Sequence, residues 1–390
     1  MWNRAESASL LELQSFQAVQ LPLKIMDLYL FHRDKYEYFY NCSMYTEEEW
    51  SKFGIKRPGL GIFSIVIGVL AIILYIPCAR AMLRPKLWQL PCYKLMFLNA
   101  VIDIWGIINS CFISGYLSVE GVVFCSYPDF LYITGSIIMA LWGAQCVTAV
   151  ILALNRCIEF WQKPFLTRLF EGYNMIFWFM LPITWFFVLL MFTASIPFTS
   201  ILNMWVLDPY FGIPGIKADG SWVRCPLSYT NCNLSFKYAQ VTLLNINNMF
   251  VFVGLTSCYL FLVFSIWFRS RSVGSAVLSK VQRQVSIQAC IICSFIYFTG
   301  GTYVFFEFFP EFASPLFLIM DFLGWQWGFC GVIMIYMVMN KNLRRGVLSF
   351  YLNIFGYDVS PDATTTAAVS HMAPKSSAVH LDSSSLANPM

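Results

Sequence analysis

LGIFSIVIGVLAIILYIPCARAML, residues 60–83, decides the fold: from Leu60 to Ala79 no side chain is charged, and the first cation is Arg80. About twenty helical residues rise roughly 30 Å, the thickness of a bilayer's hydrocarbon core. Similar runs follow at Leu95–Leu117, Phe130–Leu154, Met175–Pro197, Val241–Phe268, Ser286–Phe309 and Leu316–Met339. The reading is an all-α membrane protein, a bundle of seven transmembrane helices. Composition agrees: 58% of residues are hydrophobic and only 12% charged. So few charges cannot cover a water-facing surface, whereas a lipid-facing one needs none.

Charge placement orients the bundle. Cytoplasmic loops collect lysine and arginine. The first such loop holds Arg80, Arg84, Lys86 and Lys94, and the third span is followed by Arg156, Lys163 and Arg168. Arg269, Arg271, Lys280 and Arg283 follow the fifth span, and Lys341, Arg344 and Arg345 the seventh. The short loops 118–129 and 310–315 hold no lysine or arginine. The N-terminus is therefore expected outside and the C-terminus inside. Asn41-Cys42-Ser43 and Asn233-Leu234-Ser235, two glycosylation acceptors, both fall on the outer side.

Four regions result: an extracellular segment 1–58, the helix bundle 59–342, an amphipathic cytoplasmic helix 343–357 and a disordered tail 358–390. Residues 9–31 are interrupted by Glu12, Gln14, Gln17, Lys24 and Asp27, so no cleavable signal peptide is read there. The tail is rich in Ser, Thr, Ala and Pro and buries too little apolar surface to fold alone. Its Ser370, Ser376, Ser377 and Ser383-Ser384-Ser385 offer phosphate acceptors, and an unmodified flexible terminus reads as well.

Polar groups inside spans are costly and are functional candidates by default. Asp103 sits mid-membrane on the second span, with Asn99 and Asn109 on partly shared faces. Glu307 lies near the outer end of the sixth span. Asp321 and Trp325, four apart on the seventh, share a helix face and suit a small-ligand cavity, with belt tryptophans and an interhelical contact as the rival reading. Arg156, after Asn155, closes the third span, placed either to snorkel or to lock the bundle and engage a partner. Among outward cysteines the preferred disulfide is Cys125 with Cys225, and Cys42 with Cys232 is a second. Gly300-Gly301 reads as a weak point or close-packing site in the sixth span. The three histidines lie outside the spans. No pattern for a metal, a cofactor, a nucleic acid or nucleophilic catalysis is read, so the chain is not read as an enzyme. Matched, broken half-repeats, the mark of many transporters, are not found.

The chain resembles G-protein-coupled receptors, and more closely the nematode serpentine chemoreceptors of class T. The likeness runs from Tyr40-Asn41-Cys42-Ser43 and Glu47-Glu48-Glu49-Trp50 through Leu74-Tyr75-Ile76-Pro77-Cys78 and Cys92-Tyr93-Lys94-Leu95-Met96. It continues in Leu152-Ala153-Leu154-Asn155-Arg156-Cys157 and Asp208-Pro209, over roughly residues 38–350. It implies a rhodopsin-like bundle at the plasma membrane of a sensory neuron's cilium, detecting a small environmental molecule. Its partners would be that ligand, membrane lipid, a heterotrimeric G protein and a kinase or arrestin at the tail. By residue, Arg156 would take the part of the third-helix arginine, Asp103 the second-helix aspartate and Tyr336 the seventh-helix tyrosine. The chain departs from the rhodopsin-like pattern at Asn155, where an acid is usual, and at Val332-Ile333, where Asn-Pro is usual. The second departure weakens a sodium site at Asp103. A solute transporter and a non-signalling partner subunit are the alternative readings.

Overall fold

The computed structural model describes residues 25–161, 163–214, 234–272, 287, 291, 294, 297–302, 305, 309 and 314–357. The chain begins there with three short helices, α1 (Ile25–Phe31), α2 (Arg33–Phe39) and α3 (Glu47–Phe53). Thr46 caps α3: its hydroxyl accepts from Glu49 N while the Glu49 carboxylate accepts from Thr46 N at 2.8 Å. This reciprocal pair satisfies two amides that a helix start leaves without partners.

The spans follow. The first is α4 (Pro58–Met82), the second α5 (Pro91–Glu120), the third α6 (Pro128–Trp161) and the fourth α7 (Asn174–Phe192). Proline stands at the first helical position of α4 and α5, where its missing N–H costs nothing. A π-helical stretch, Ile108–Ile113, interrupts α5, and the left-handed Gly121 (φ +73°) ends it. A hairpin of β1 (Phe198–Thr199) and β2 (Met204–Trp205) follows α7, the one departure from an all-helical reading among the described residues. The fifth span lies in α8 (Leu234–Ser272) and the seventh is α9 (Pro315–Met339). Between them, residues 287, 291, 294 and 297–302 are helical, on the expected sixth span.

Burial sorts the bundle. In α6, 78% of the most apolar stretch is buried, against 17% in α7, so α6 is the central column and α7 peripheral. Ile62, Val66, Leu70 and Ile73 of α4 point outward, an arrangement that only lipid tolerates at this density. α10 (Lys341–Ile354) then turns along the inner end of α4, started by Asn340, whose side chain accepts from Leu343 N. It is fastened by Arg84 Nη2 to Asn342 O (3.0 Å), by the Tyr351 hydroxyl to Ile73 O and by Arg80 over the Phe350 ring. Its Leu343 and Val347 are buried, while Leu348 and Ile354 are exposed, as an interfacial helix requires.

Residues 25–57 form a lid on the outer end of the bundle. Arg33 bonds both Asp129 oxygens (2.9 and 2.8 Å), and this carboxylate holds the guanidinium's pKa above its ordinary value. Tyr36 and Tyr40 pack edge-on to Tyr132 of α6. Arg57 donates to Ser200 O and to Ile201 O (3.0 Å), clamping the hairpin. The expected Cys125–Cys225 disulfide is corrected here: Cys125 is bonded to Cys42, with Cα atoms 5.5 Å apart. The 3₁₀ turn Phe124–Ser126 presents Cys125 to the lid, beneath α3. Cys225, Cys232 and Asn233 lie outside the described residues.

Candidate functional site

Polar side chains on six spans meet in two layers. The outer layer is a cavity of about 80 Å³. Its walls are Trp142 of α6, Leu244 and Asn248 of α8, and Asp321, Phe322 and Trp325 of α9, with Thr299 and Gly300 of the sixth span. Met204 and Trp205 of the hairpin also line it. Trp142 Nε1 donates to Asn248 Oδ1 (3.1 Å), and Asn247 Nδ2 reaches the same oxygen (3.3 Å). Trp205 Nε1 donates to Ser114 Oγ (2.9 Å), just past the π stretch of α5. Asp321 is 8% exposed and accepts a bond from the Thr302 hydroxyl.

Below it lies a closed polar knot around Asp103, which is fully buried. Its Oδ2 accepts from the Tyr75 hydroxyl (2.7 Å) and Asn99 Nδ2 (2.5 Å), and its Oδ1 from Gln145 Nε2 (2.7 Å). Gln145 Nε2 also reaches Gly328 O (2.8 Å), and Tyr75 lies 3.1 Å from Phe329 O. Spans one, two, three and seven are thus joined through one carboxyl. Beside it, Gln326 bonds Ser64 Oγ (3.0 Å) and Ser110 O (2.6 Å). Among the described residues no group of three or more metal-ligating side chains forms a metal site.

The two layers touch along α9. Trp325, on the cavity wall, packs edge-on against Phe329 with ring centroids 5.8 Å apart, and the Phe329 and Gly328 carbonyls belong to the knot. A change in the shape of α9 at the cavity therefore bears directly on the Asp103 bonds.

At the inner end Arg156 turns into the bundle rather than out to the headgroups. Nη1 pairs with Glu159 Oε2 (2.8 Å) and Nη2 contacts Cys92 Sγ of α5. Asn155 is buried and its carbonyl oxygen has no partner among the described residues; the same holds for the Tyr336 hydroxyl.

The structure brings some sequence candidates together and separates others. Asp321 and Trp325 share the cavity, and Asp103 bonds Asn99. Asn109 instead donates to Thr134 O (3.1 Å). Asn41 is exposed at the lid's surface. Glu307 lies outside the described residues. At the Gly300-Gly301 pair, among the described residues, a β-carbon would meet only Trp142 at 3.8 Å from Gly300 and nothing within 4 Å from Gly301. Sequence reasoning missed Trp142, Gln145, Asn248, Trp205 and Gln326. Gln145, Asn248 and Gln326 had a signal, since each places an amide inside an apolar span. Trp142 and Trp205 had none.

Comparison with known proteins follows the same lines. A family model described as serpentine type 7TM GPCR chemoreceptor Srt matches residues 24–355. Serpentine receptor class T-55 of Caenorhabditis elegans is 29% identical over 147 residues, 36% of this chain. That match spans 40% of the relative's own length. The crystal structure of squid rhodopsin superposes with a TM-score of 0.54 at 14% identity, covering 81% of this chain and 88% of that one. This likeness concerns the fold.

Proposed function

Because this chain belongs to the serpentine chemoreceptor Srt family, a multi-pass membrane family with the seven-helix receptor fold, we propose that it detects a small molecule in its outer cavity and activates a heterotrimeric G protein. The observation that carries this reading is the continuous path from Trp325 through Phe329 and Tyr75 to Asp103. A ligand that binds one arrangement of α9 better than another shifts the population toward it by that difference in affinity. The knot is built of discrete hydrogen bonds, which favour two packed arrangements over a continuum. At the inner end, Arg156, Asn155 and Tyr336 are the side chains that would rearrange when a G protein docks.

On this reading the protein works at the plasma membrane, in a sensory cilium, and signals without catalysis. α10 and the membrane's inner face would flank the G-protein site. The test is agonist-dependent G-protein activation in cells carrying a panel of α subunits and pooled small odorants, with surface labelling as control. An agonist response that vanishes in Arg156→Ala at equal surface level supports the proposal. Undiminished responses in that variant would sink the role given to Arg156.

A further inference from the structure

We propose that the cavity selects a small organic cation, a protonated amine with an apolar body, and that Asp321 is its counter-ion. This rests on the cavity being the ligand site of the receptor reading and adds the chemical class of ligand.

Among the described residues lining the cavity, Asp321 is the only ionisable side chain. It is held in place by one bond, from the Thr302 hydroxyl to Oδ1, and Oδ2 accepts none from any described residue. The described ion pairs all lie elsewhere, at Arg33 and Arg156. Asp103 provides the contrast. It is the other buried acid, and it is closed off by three donors from three spans. A carboxyl that structure alone required would be expected to look like Asp103. Asp321 instead lines a cavity walled by aromatic rings, with one oxygen that accepts no bond from any described residue.

Those rings suit a cation. Trp142, Trp205, Trp325 and Phe322 line the same cavity as Asp321. Aromatic faces carry negative potential, and tryptophan is the strongest of them toward an ammonium. An anionic ligand would meet like charge. A neutral one would gain no ion pair from Asp321. An ammonium donates a charge-assisted hydrogen bond to Oδ2, while Ile138, Met139 and Leu244 of the same cavity give its alkyl or aryl body apolar contacts.

The experiment uses the full chain in lipid nanodiscs, with tryptophan fluorescence and thermal shift as readouts. The probes are matched pairs: 2-phenylethylamine with 2-phenylethanol, hexylamine with hexanol, cyclohexylamine with cyclohexanol. At neutral pH at least one amine should bind about tenfold or more tightly than its alcohol, the scale of a charge-assisted bond. Asp321→Asn should abolish that preference, and Asp321→Glu should keep it. If Asp321→Asn does not fold, Trp142→Leu should weaken the amine more than the alcohol. Alcohols binding as tightly as every amine, or a preference that survives Asp321→Asn, overturns the proposal. A neutral odorant that drives Arg156-dependent G-protein activation would retire the amine inference and leave the receptor reading standing.

Discussion

A β-carbon at Gly106 would stand 2.7 Å from Phe329 Cγ, so the ring of Phe329 occupies the space that any other residue on α5 would need. That ring sits between the cavity tryptophan and the Asp103 knot, and only glycine lets α5 and α9 approach this closely. Gly106→Ala should overpack the contact and cost about 1–3 kcal/mol. Purified protein should melt several degrees lower, and agonist potency should shift with it. An unchanged melting temperature would mean that α9 relaxes without loss.

The Cys42–Cys125 bond closes a stretch of 83 residues containing α3 of the lid and the first two spans. Constraining a loop of that length corresponds to roughly 4–5 kcal/mol in the chain-entropy account. Non-reducing digestion should yield a peptide joining Cys42 to Cys125, and Cys42→Ser should match Cys125→Ser in surface expression. Recovery of a Cys125–Cys225 peptide would refute the pairing.

The bonds from Thr46 lower the Glu49 pKa below its ordinary 4.5. A carboxyl depressed by folding stabilises the lid fully above about pH 4.5 and loses that contribution as pH falls through the lowered value. Amide protection factors in residues 47–53, taken against the intrinsic rate at each pH, should therefore fall below pH 4.5 in the native chain. Thr46→Ala, losing a cap worth about 1 kcal/mol, should lower them at neutral pH by around fivefold, with a smaller further fall in acid. Equal pH responses in the two proteins would rule out the cap.

The spans were legible because a bilayer leaves a chain few options: apolar runs long enough to cross must be helices, and their basic flanks must face inward. Asp103 and Asp321 stood out for the same reason, being acids where acids are expensive. The lid was not legible. Its tyrosines 29, 36 and 40 follow no single helical stripe, since α1 and α2 are separated by His32 and pack on α6 from different directions. The disulfide partner was undetermined because Cys42, Cys125, Cys225 and Cys232 admit three connectivities, and only the position of the 3₁₀ turn chooses among them. Trp142 was invisible in an apolar run that would read the same if the ring faced lipid.

Glu159 is the ionic partner of Arg156, one turn along α6, and the pair is only partly screened, with side-chain exposures of 12% and 35%. Glu159→Gln should free the guanidinium from its own helix at little cost in folding. Basal G-protein activation is then expected to rise up to about fivefold, the effect of a pair worth at most ~1 kcal/mol. Basal and agonist-driven activity both unchanged would show that Arg156 is held by Cys92 and α5 instead.

Trp205 connects the β1–β2 hairpin, of which it is part, to the cavity wall and to α5 at once, through its bond to Ser114 Oγ. Ser114 Oγ in turn donates to Asn109 O (3.0 Å), across the π stretch of α5, so the hairpin reaches the one irregular turn of that span. Trp205→Phe keeps an aromatic face and removes the donor. A net loss of about 0.5–1.5 kcal/mol corresponds to agonist potency reduced roughly two- to tenfold, with surface level unchanged. Ser114→Ala removes the acceptor together with the serine's own bond to Asn109 O, and its loss should be at least as large. The double variant should be no worse than Ser114→Ala alone, because Trp205→Phe deletes only a bond that Ser114→Ala has already removed. Additive losses would mean that Trp205 serves the ligand through its ring alone and that the hairpin does not communicate with α5.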